Sequence, residues 1–278
     1  MKQTIMKPYV AVLFSVYKND RLGWFREALD SILCQTYGRE YIHIYLGIDG
    51  PIEVEIRDYI KDNKKLFFKV IESEEKIGKP RIINRLIECF ENEEFVFKMD
   101  ADDISFEKRF EKQIQYLQQY SDIDIVGTAV MEIDENRKEM FCRLYPQNPY
   151  SVRDYICKAS PVAHPSVCFR RCVFDTVSGY PDRYVYNEDL ALWFLCLSKG
   201  LVISNIETPL LYYRVTESFY KRRQKGAFSE FVIYMRGIWS LRGLSVNLFI
   251  PFIRLVFRAL PARFVRSIYK SNLRSKLN

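Results

Sequence analysis

Asp100, Asp102 and Asp103 place three carboxylates within four residues, at the end of the short run Phe95-Val96-Phe97-Lys98-Met99. Acids so close repel one another unless a cation neutralises them, and an all-oxygen donor set suits a hard divalent ion, Mn²⁺ or Mg²⁺. The apolar run before them has the character of a strand buried on both faces, and ligands of open α/β sheets bind outside the carboxyl ends of the strands. The plainer alternative is that Asp102 and Asp103 cap a helix beginning near Ser105. One cap needs one acid, and three are present. A second acidic pair, Glu188-Asp189, opens the apolar stretch Leu190-Ala191-Leu192-Trp193-Phe194. Here too capping is an alternative, because a helix N-terminus favours negative charge.

These acids need a scaffold. Tyr9 to Val16 predicts a buried first strand, followed by the polar loop Tyr17-Lys18-Asn19-Asp20 and a helix from Leu22 to Gln35 with Phe25, Ala28, Leu29, Ile32 and Leu33 on one face. Tyr41 to Ile48 predicts a second strand that ends in Asp49-Gly50-Pro51, a turn headed by an acid. A helix over Glu53–Asn63 and a strand over Leu66–Ile71 follow. The basic loop Lys76-Ile77-Gly78-Lys79-Pro80-Arg81 then enters a helix whose apolar face is Ile82, Ile83, Leu86, Ile87 and Phe90. Strands alternating with helices at this spacing predict an α/β fold, a mostly parallel sheet flanked by helices. Beyond the acids, Phe106, Phe110, Ile114 and Leu117 predict a helix and Ile123 to Ile133 a strand. Residues 136–161 have no regular pattern and read as a lid over the sheet's top edge. His164 to Phe169 predicts a strand, and Val202 to Ile206 and Leu210 to Val215 close the globular part.

The chain has 278 residues, 48% of them hydrophobic, which excludes a disordered protein and allows one α/β domain plus an appendage. Its net charge of +7 is unevenly spread. Residues 1–219 hold 29 basic and 34 acidic side chains, whereas residues 220–278 hold 13 basic ones and a single acid, Glu230. In Leu244 to Lys276, apolar clusters alternate with Arg254, Arg258, Arg263, Arg266, Lys270 and Arg274. This predicts a basic amphipathic helical tail lying on an anionic membrane surface, against the alternative of a helix packed on the domain with a solvated basic face. No nucleic-acid-binding motif accompanies the charge. No apolar run reaches the roughly 20 residues that span a bilayer, since Arg254, Arg258 and Arg263 interrupt the most hydrophobic part of the tail, and the N-terminus lacks the apolar core of a signal peptide. Seven cysteines without a C-x-x-C read as reduced thiols of a cytoplasmic protein.

With these pieces placed, the chain resembles the inverting glycosyltransferases of family 2, which use the nucleotide-sugar-binding GT-A fold. The resemblance rests on Val12-Leu13-Phe14-Ser15-Val16-Tyr17-Lys18-Asn19, Ala28-Leu29-Asp30-Ser31-Ile32-Leu33-Cys34-Gln35-Thr36-Tyr37, Asp49-Gly50, Met99-Asp100-Ala101-Asp102-Asp103 and Glu188-Asp189-Leu190-Ala191-Leu192-Trp193, and spans roughly residues 9–215. It implies that Ser15, Tyr17 and Asp49 hold the nucleobase, that Asp100 contacts ribose and metal, and that Asp102 holds the metal on the diphosphate. It implies further that Asp189 is the catalytic base, with Glu188 beside it, and that Lys79 and Arg81 touch the diphosphate. The family's usual Asn-x-Gly-like entry to this helix is replaced here by Lys76-Ile77-Gly78-Lys79-Pro80. The Gln-x-x-Arg-Trp motif of processive polymer synthases is missing, with Tyr212-Tyr213-Arg214 in about its place, which implies one sugar per encounter.

The expectation is therefore a metal-dependent, inverting transfer of a sugar from a nucleotide-diphosphate sugar, a UDP-sugar first among candidates, to a hydroxyl of a lipid-linked glycan in surface polysaccharide synthesis. Such an enzyme would be peripheral on the inner face of the cell membrane, with a catalytic domain over residues 1–219 and the tail over 220–278. On the acceptor side, His164 is either a pocket residue or an ordinary loop histidine, and Trp193 either core or a sugar-stacking platform. The alternatives are a sugar-nucleotidyltransferase, which usually has a Gly-rich loop where this chain has Ser15-Val16-Tyr17-Lys18-Asn19, and a catalytically silent membrane-bound scaffold.

Overall fold

In the computed structural model, which describes residues 7–216 and 226–259, nine strands form one sheet. The first strand, β1 (Val10–Tyr17), lies between β2 (Ile42–Asp49) and β4 (Phe95–Asp100), parallel to both, and β3 (Lys69–Ser73) continues the parallel half beyond β2. β1 is apolar on both faces because both are covered. Val10, Val12, Phe14 and Val16 pack with α1 (Leu22–Leu33), α2 (Val54–Asp62) and α4 (Arg109–Gln119). Ala11 and Leu13 face the opposite layer, built from α3 (Lys79–Ile87), α6 (Cys172–Val177) and α7 (Glu188–Ser198). The period of two along a strand thus assigns alternate residues to two cores.

The other half of the sheet is mixed. β8 (Cys168–Arg170) runs antiparallel to β4 and to β6 (Ile125–Ile133), while β6 pairs in parallel with the long β9 (Ile203–Arg214). The two segments expected at 202–206 and 210–215 are this one strand, its pairing interrupted by irregular register near Ala129. Part of the irregular region 136–161 is ordered as β7 (Glu139–Arg143), which extends β6, and α5 (Pro149–Tyr155), capped by the Asn148 side chain. His164 opens a short 3₁₀ turn rather than a strand.

One difference bears on the site. The helix expected near Ser105 begins only at Arg109, because Ile104-Ser105 is instead the two-residue strand β5, paired with Tyr212 and Leu211 of β9. Asp102 and Asp103 therefore cap no helix.

The C-terminal part also differs from expectation. Helix α8 (Ala227–Arg242) buries Ile233, Tyr234 and Ile238 in the same core as Trp193 and Phe194. A Cβ on Gly237 would lie 2.3 Å from the Phe194 ring, so α8 approaches α7 closely only because that residue is glycine. The tail expected from residue 220 is thus no separate appendage over α8, since the apolar face of this helix completes the core. The last described helix, α9 (Ile250–Ala259), packs on α8, and residues 260–278 lie outside the described residues.

Candidate active site

Strand register gathers the expected donor-side residues. Ser15 pairs with Asp100 and Tyr17 with Asp49, so the carboxyl ends of β1, β2 and β4 present all four side by side. This edge is a topological switch point, because the chain proceeds from β1 to one side of the sheet and returns with β4 on the other. A cleft of about 660 Å³ opens there. Its lining includes Ser15, Tyr17, Asp49, Lys79, Asp100 and Asp102, together with His164, Glu188 and Asp189. Asp49 and Asp189, 140 positions apart in the chain, thus share one cavity.

Asp49 is nearly buried, and its Oδ1 accepts the backbone N–H groups of Ile77 at 2.8 Å and Gly78 at 3.0 Å, which ties the β2 end to the loop that opens α3. Gly50 must be glycine: its φ is +82°, and a Cβ would stand 2.8 Å from the Lys76 backbone nitrogen. Lys76 lies over the Tyr17 ring at 5.1 Å. Lys79 reaches back to Asp100 Oδ1 at 2.7 Å and stands 4.0 Å from a Glu188 carboxylate oxygen, so one ammonium spans the donor-side acid and α7. The fully buried Lys98 holds the same Asp100 oxygen at 2.7 Å. Burial alone would raise the Asp100 carboxyl, but Lys79 and then Lys98 hold it well below the usual carboxylate range.

On α7 the balance is reversed. Burial pushes Glu188 up to about 7 against the opposing pull of Lys79, and burial also raises Asp189, partly offset by the N–H of Leu190. Carboxyls with pKa values displaced toward neutrality are suited to proton transfer. Neither is engaged by the residue that starts the helix, Asn187, which adopts a left-handed conformation and makes no side-chain cap. His164 is buried, bonded through Nε2 to the Tyr180 hydroxyl at 2.9 Å, and burial holds its protonation well below the usual range.

Two expected site residues stand elsewhere. Arg81 points away from the cleft and pairs with Asp182 at 3.6 Å across the surface, because the first turn of α3 directs Lys79 inward and Arg81 outward. Trp193 has no solvent exposure and stacks on Phe169, so it is core rather than an acceptor platform.

The profile of the family described as glycosyl transferase family 2 matches residues 12–176, more than half of the chain. The chain belongs to that family. Among similar proteins, the Escherichia coli UDP-Gal:alpha-D-GlcNAc-diphosphoundecaprenol beta-1,3-galactosyltransferase is 29% identical over 96% of this chain and 97% of its own length. The amylovoran biosynthesis glycosyltransferase AmsE of Erwinia amylovora is 27% identical over 94% and 98%. The same GT-A fold is seen in residues 1–349 of S. aureus TarS bound to UDP-GlcNAc, with TM-score 0.62 and 14% identity over 91% of this chain and 82% of that one. It is seen also in the mannosyltransferase PcManGT of Pyrobaculum calidifontis bound to GDP-Man and Mn²⁺, with TM-score 0.62 and 16% identity over 95% and 79%. The chain spans 50% of the longer S. aureus TarS.

The carboxylates of this family 2 glycosyltransferase fit a hard divalent cation. Among the described residues no three acidic, His or Cys side chains form a preassembled cage. Mg²⁺-type sites need none, since one or two carboxylates plus the phosphates of a substrate complete the shell. Asp100 and Asp102 offer oxygen donors at the mouth of β4, and Lys79 and Lys98 occupy only Oδ1 of Asp100 among the contacts described.

Several residues at or beside this cleft escaped the sequence reading. Lys98 carried a signal, a charge inside a strand otherwise apolar on both faces. Asp20 lines the cleft and accepts the Tyr17 N–H at 2.8 Å, and burial raises its carboxyl to about 7. Arg214 ends β9 beneath the acidic turn: its Nε donates to the Asp102 carbonyl at 2.8 Å and its backbone N–H to Asp103 Oδ1 at 2.9 Å. Glu230, Tyr234 and Arg254, from α8 and α9, also line the cleft.

Proposed function

We propose that this glycosyltransferase moves a single sugar from a nucleotide-diphosphate donor, a UDP-sugar, to a hydroxyl of a lipid-linked glycan, with inversion at the anomeric carbon. One observation carries the reading: the Glu188-Asp189 pair, raised by burial, shares a single cleft with the Asp49, Asp100 and Asp102 side chains that end β2 and β4. The base of the nucleotide would lie against Tyr17, Ser15 and Asp49, with the sugar directed toward α7. Asp100 and Asp102 would hold a divalent ion, which when bound withdraws charge from the departing diphosphate.

Asp189 is the proposed general base. It takes the proton of the acceptor hydroxyl as that oxygen attacks the anomeric carbon. The new carbon–oxygen bond forms as the bond to the diphosphate breaks, and a single in-line displacement inverts the centre. Lys79 tethers Asp100 and leans toward Glu188, and so holds the donor-side and base-side charges at a fixed spacing.

The acceptor assignment is supported by the E. coli relative, whose acceptor is a diphosphoundecaprenol-linked sugar, and the setting in polysaccharide assembly by the Erwinia relative. Among the described residues no helix is long and apolar enough to cross a membrane, so a peripheral seat on the inner membrane face is the arrangement proposed.

The donor assignment is tested by melting the full chain with nucleotides and nucleotide sugars, with and without Mn²⁺. A bound donor raises the melting temperature by mass action. Asp189→Asn should keep this shift and lose about 10²–10⁴-fold in transfer rate. Near-normal transfer by this variant would remove Asp189 from the role of base.

A further inference from the structure

The last described helix has two unlike sides. From α9, Arg254 reaches inward to the cleft, where its Nε donates to Glu230 Oε1 at 3.1 Å, its terminal nitrogens bond the same carboxylate and the Lys158 carbonyl, and its guanidinium covers the Tyr234 ring at 4.7 Å. Glu230 is almost wholly buried on α8, which is itself locked into the core. The contact therefore ties α9 to the wall of the cleft. On the outer side, Phe252, Ile253 and Val256, with Phe249 just before the helix, recur at helical spacing and are between 52% and 69% exposed. Leu244 and Val246 continue this surface before the helix, and Trp239 of α8 is also exposed. A soluble surface rarely gathers so many large apolar side chains.

The sequence on either side of this face points to what covers it. Lys221, Arg222, Arg223 and Lys225 precede α8 in the chain, and Arg258, Arg263, Arg266, Lys270, Arg274 and Lys276 follow Val256, with no acid after Glu230. An apolar helix face within a strongly basic segment matches an anionic lipid surface, where side chains such as Phe and Ile enter the headgroup boundary and the cations pair with the phosphates.

We infer that α9, with Phe249 just before it, seats the enzyme on an anionic membrane through Phe249, Phe252, Ile253 and Val256, and that its Arg254 tie to Glu230 thereby sets the acceptor side of the cleft at the lipid surface. This deepens the lipid-linked acceptor reading and rests on it. A saccharide anchored in the bilayer would reach the cleft along this wall without leaving the interface.

The test uses the full chain and vesicles of phosphatidylcholine with one-quarter phosphatidylglycerol. A Phe249→Ser, Ile253→Ser, Val256→Ser variant, which leaves the Phe252 ring on Phe231, should lose co-sedimentation by at least about tenfold at an unchanged melting temperature. A chain truncated after Ala259 should still sediment, more weakly. Wild-type-like sedimentation of the triple variant would overturn the inference. Should the triple variant fold poorly, Val256→Trp offers a second measurement. Its fluorescence should show quenching by brominated phosphatidylglycerol chains beyond that of the wild type, and equal quenching would count against the inference. The donor reading fails separately: a chain that binds vesicles yet shows no melting shift with any nucleotide sugar would keep the membrane face and lose the proposed reaction.

Discussion

Lys98 Nζ lies 2.7 Å from Asp100 Oδ1, on the same oxygen that Lys79 holds from α3. The pair is unequal. Lys79 is partly open to the cleft, whereas Lys98 has no exposure and projects from a strand position paired with Leu13. Burial lowers the Lys98 ammonium to about 8, and the attraction of Asp100 keeps it from falling further. The arrangement aims the Asp100 carboxylate from two sides before any ligand arrives.

Lys98→Met keeps the length and packing of the side chain and removes its charge. Asp100 then keeps Lys79 alone. The charge-assisted bond from Lys98 is lost, but so is the larger cost of burying its ammonium, which the lowered titration of Lys98 reflects. Denaturant unfolding should show a variant at least as stable as wild type, with weaker donor binding. Unaltered donor affinity would mean that the buried ammonium does not position Asp100.

Glu188 predicts a pH dependence of stability. Its carboxyl is raised in the fold to about 7 from an ordinary 4.5, so the folded chain binds that proton more tightly than the unfolded chain does. The resulting stabilisation is fully present below about pH 4.5 and is lost as pH rises through about 7. Asp20, Asp103 and Asp189, also raised, act with the same sign. Glu188→Gln isolates the contribution of one residue: its melting temperature should gain on wild type across pH 4.5 to 7. Parallel melting curves over that window would show that Glu188 titrates normally.

Arg214 predicts a separation of stability from metal response. Its guanidinium, almost without exposure, bonds Glu27 Oε2 at 2.6 Å and the Asp102 carbonyl at 2.8 Å, and lies over the Trp24 ring at 5.0 Å. Arg214→Met should cost about 2 kcal/mol, discounted because Glu27 is partly solvated, and should raise the Mn²⁺ concentration for half-maximal transfer. Arg214→Lys can restore the ion pair but not the planar fork, so it should recover stability and leave the metal response impaired. Full recovery of both would reduce the role of Arg214 to its charge.

The fold was legible where one residue's surroundings are repeated along the chain. Val10 to Val16 could only be a strand covered on both faces, and Phe25, Ala28, Leu29 and Ile32 could only be one side of a helix, because periodicity records burial locally. The acidic turn after β4 was legible for a similar reason, since clustered charge at the end of an apolar run has few structural uses. The readings that failed depended on partners distant in sequence. Ile104-Ser105 has nothing strand-like about it until β9 lies beside it. The basic composition of residues 220–278 hid the apolar face of α8, because net charge is an average over the helix and core packing is decided by one side of it.

Taken alone, the sequence determined the α/β class, the order of the elements in the parallel half and the residue types available for chemistry, since these follow from local patterns of burial and charge. The tertiary structure decided which of those residues meet. Lys79 turns into the cleft and Arg81 away from it, Trp193 is enclosed by Phe169 and His164, and Arg254 crosses from the last described helix to the wall of the cleft. Such choices depend on strand register and helix packing between segments far apart in the chain, and no local pattern encodes a distance between them.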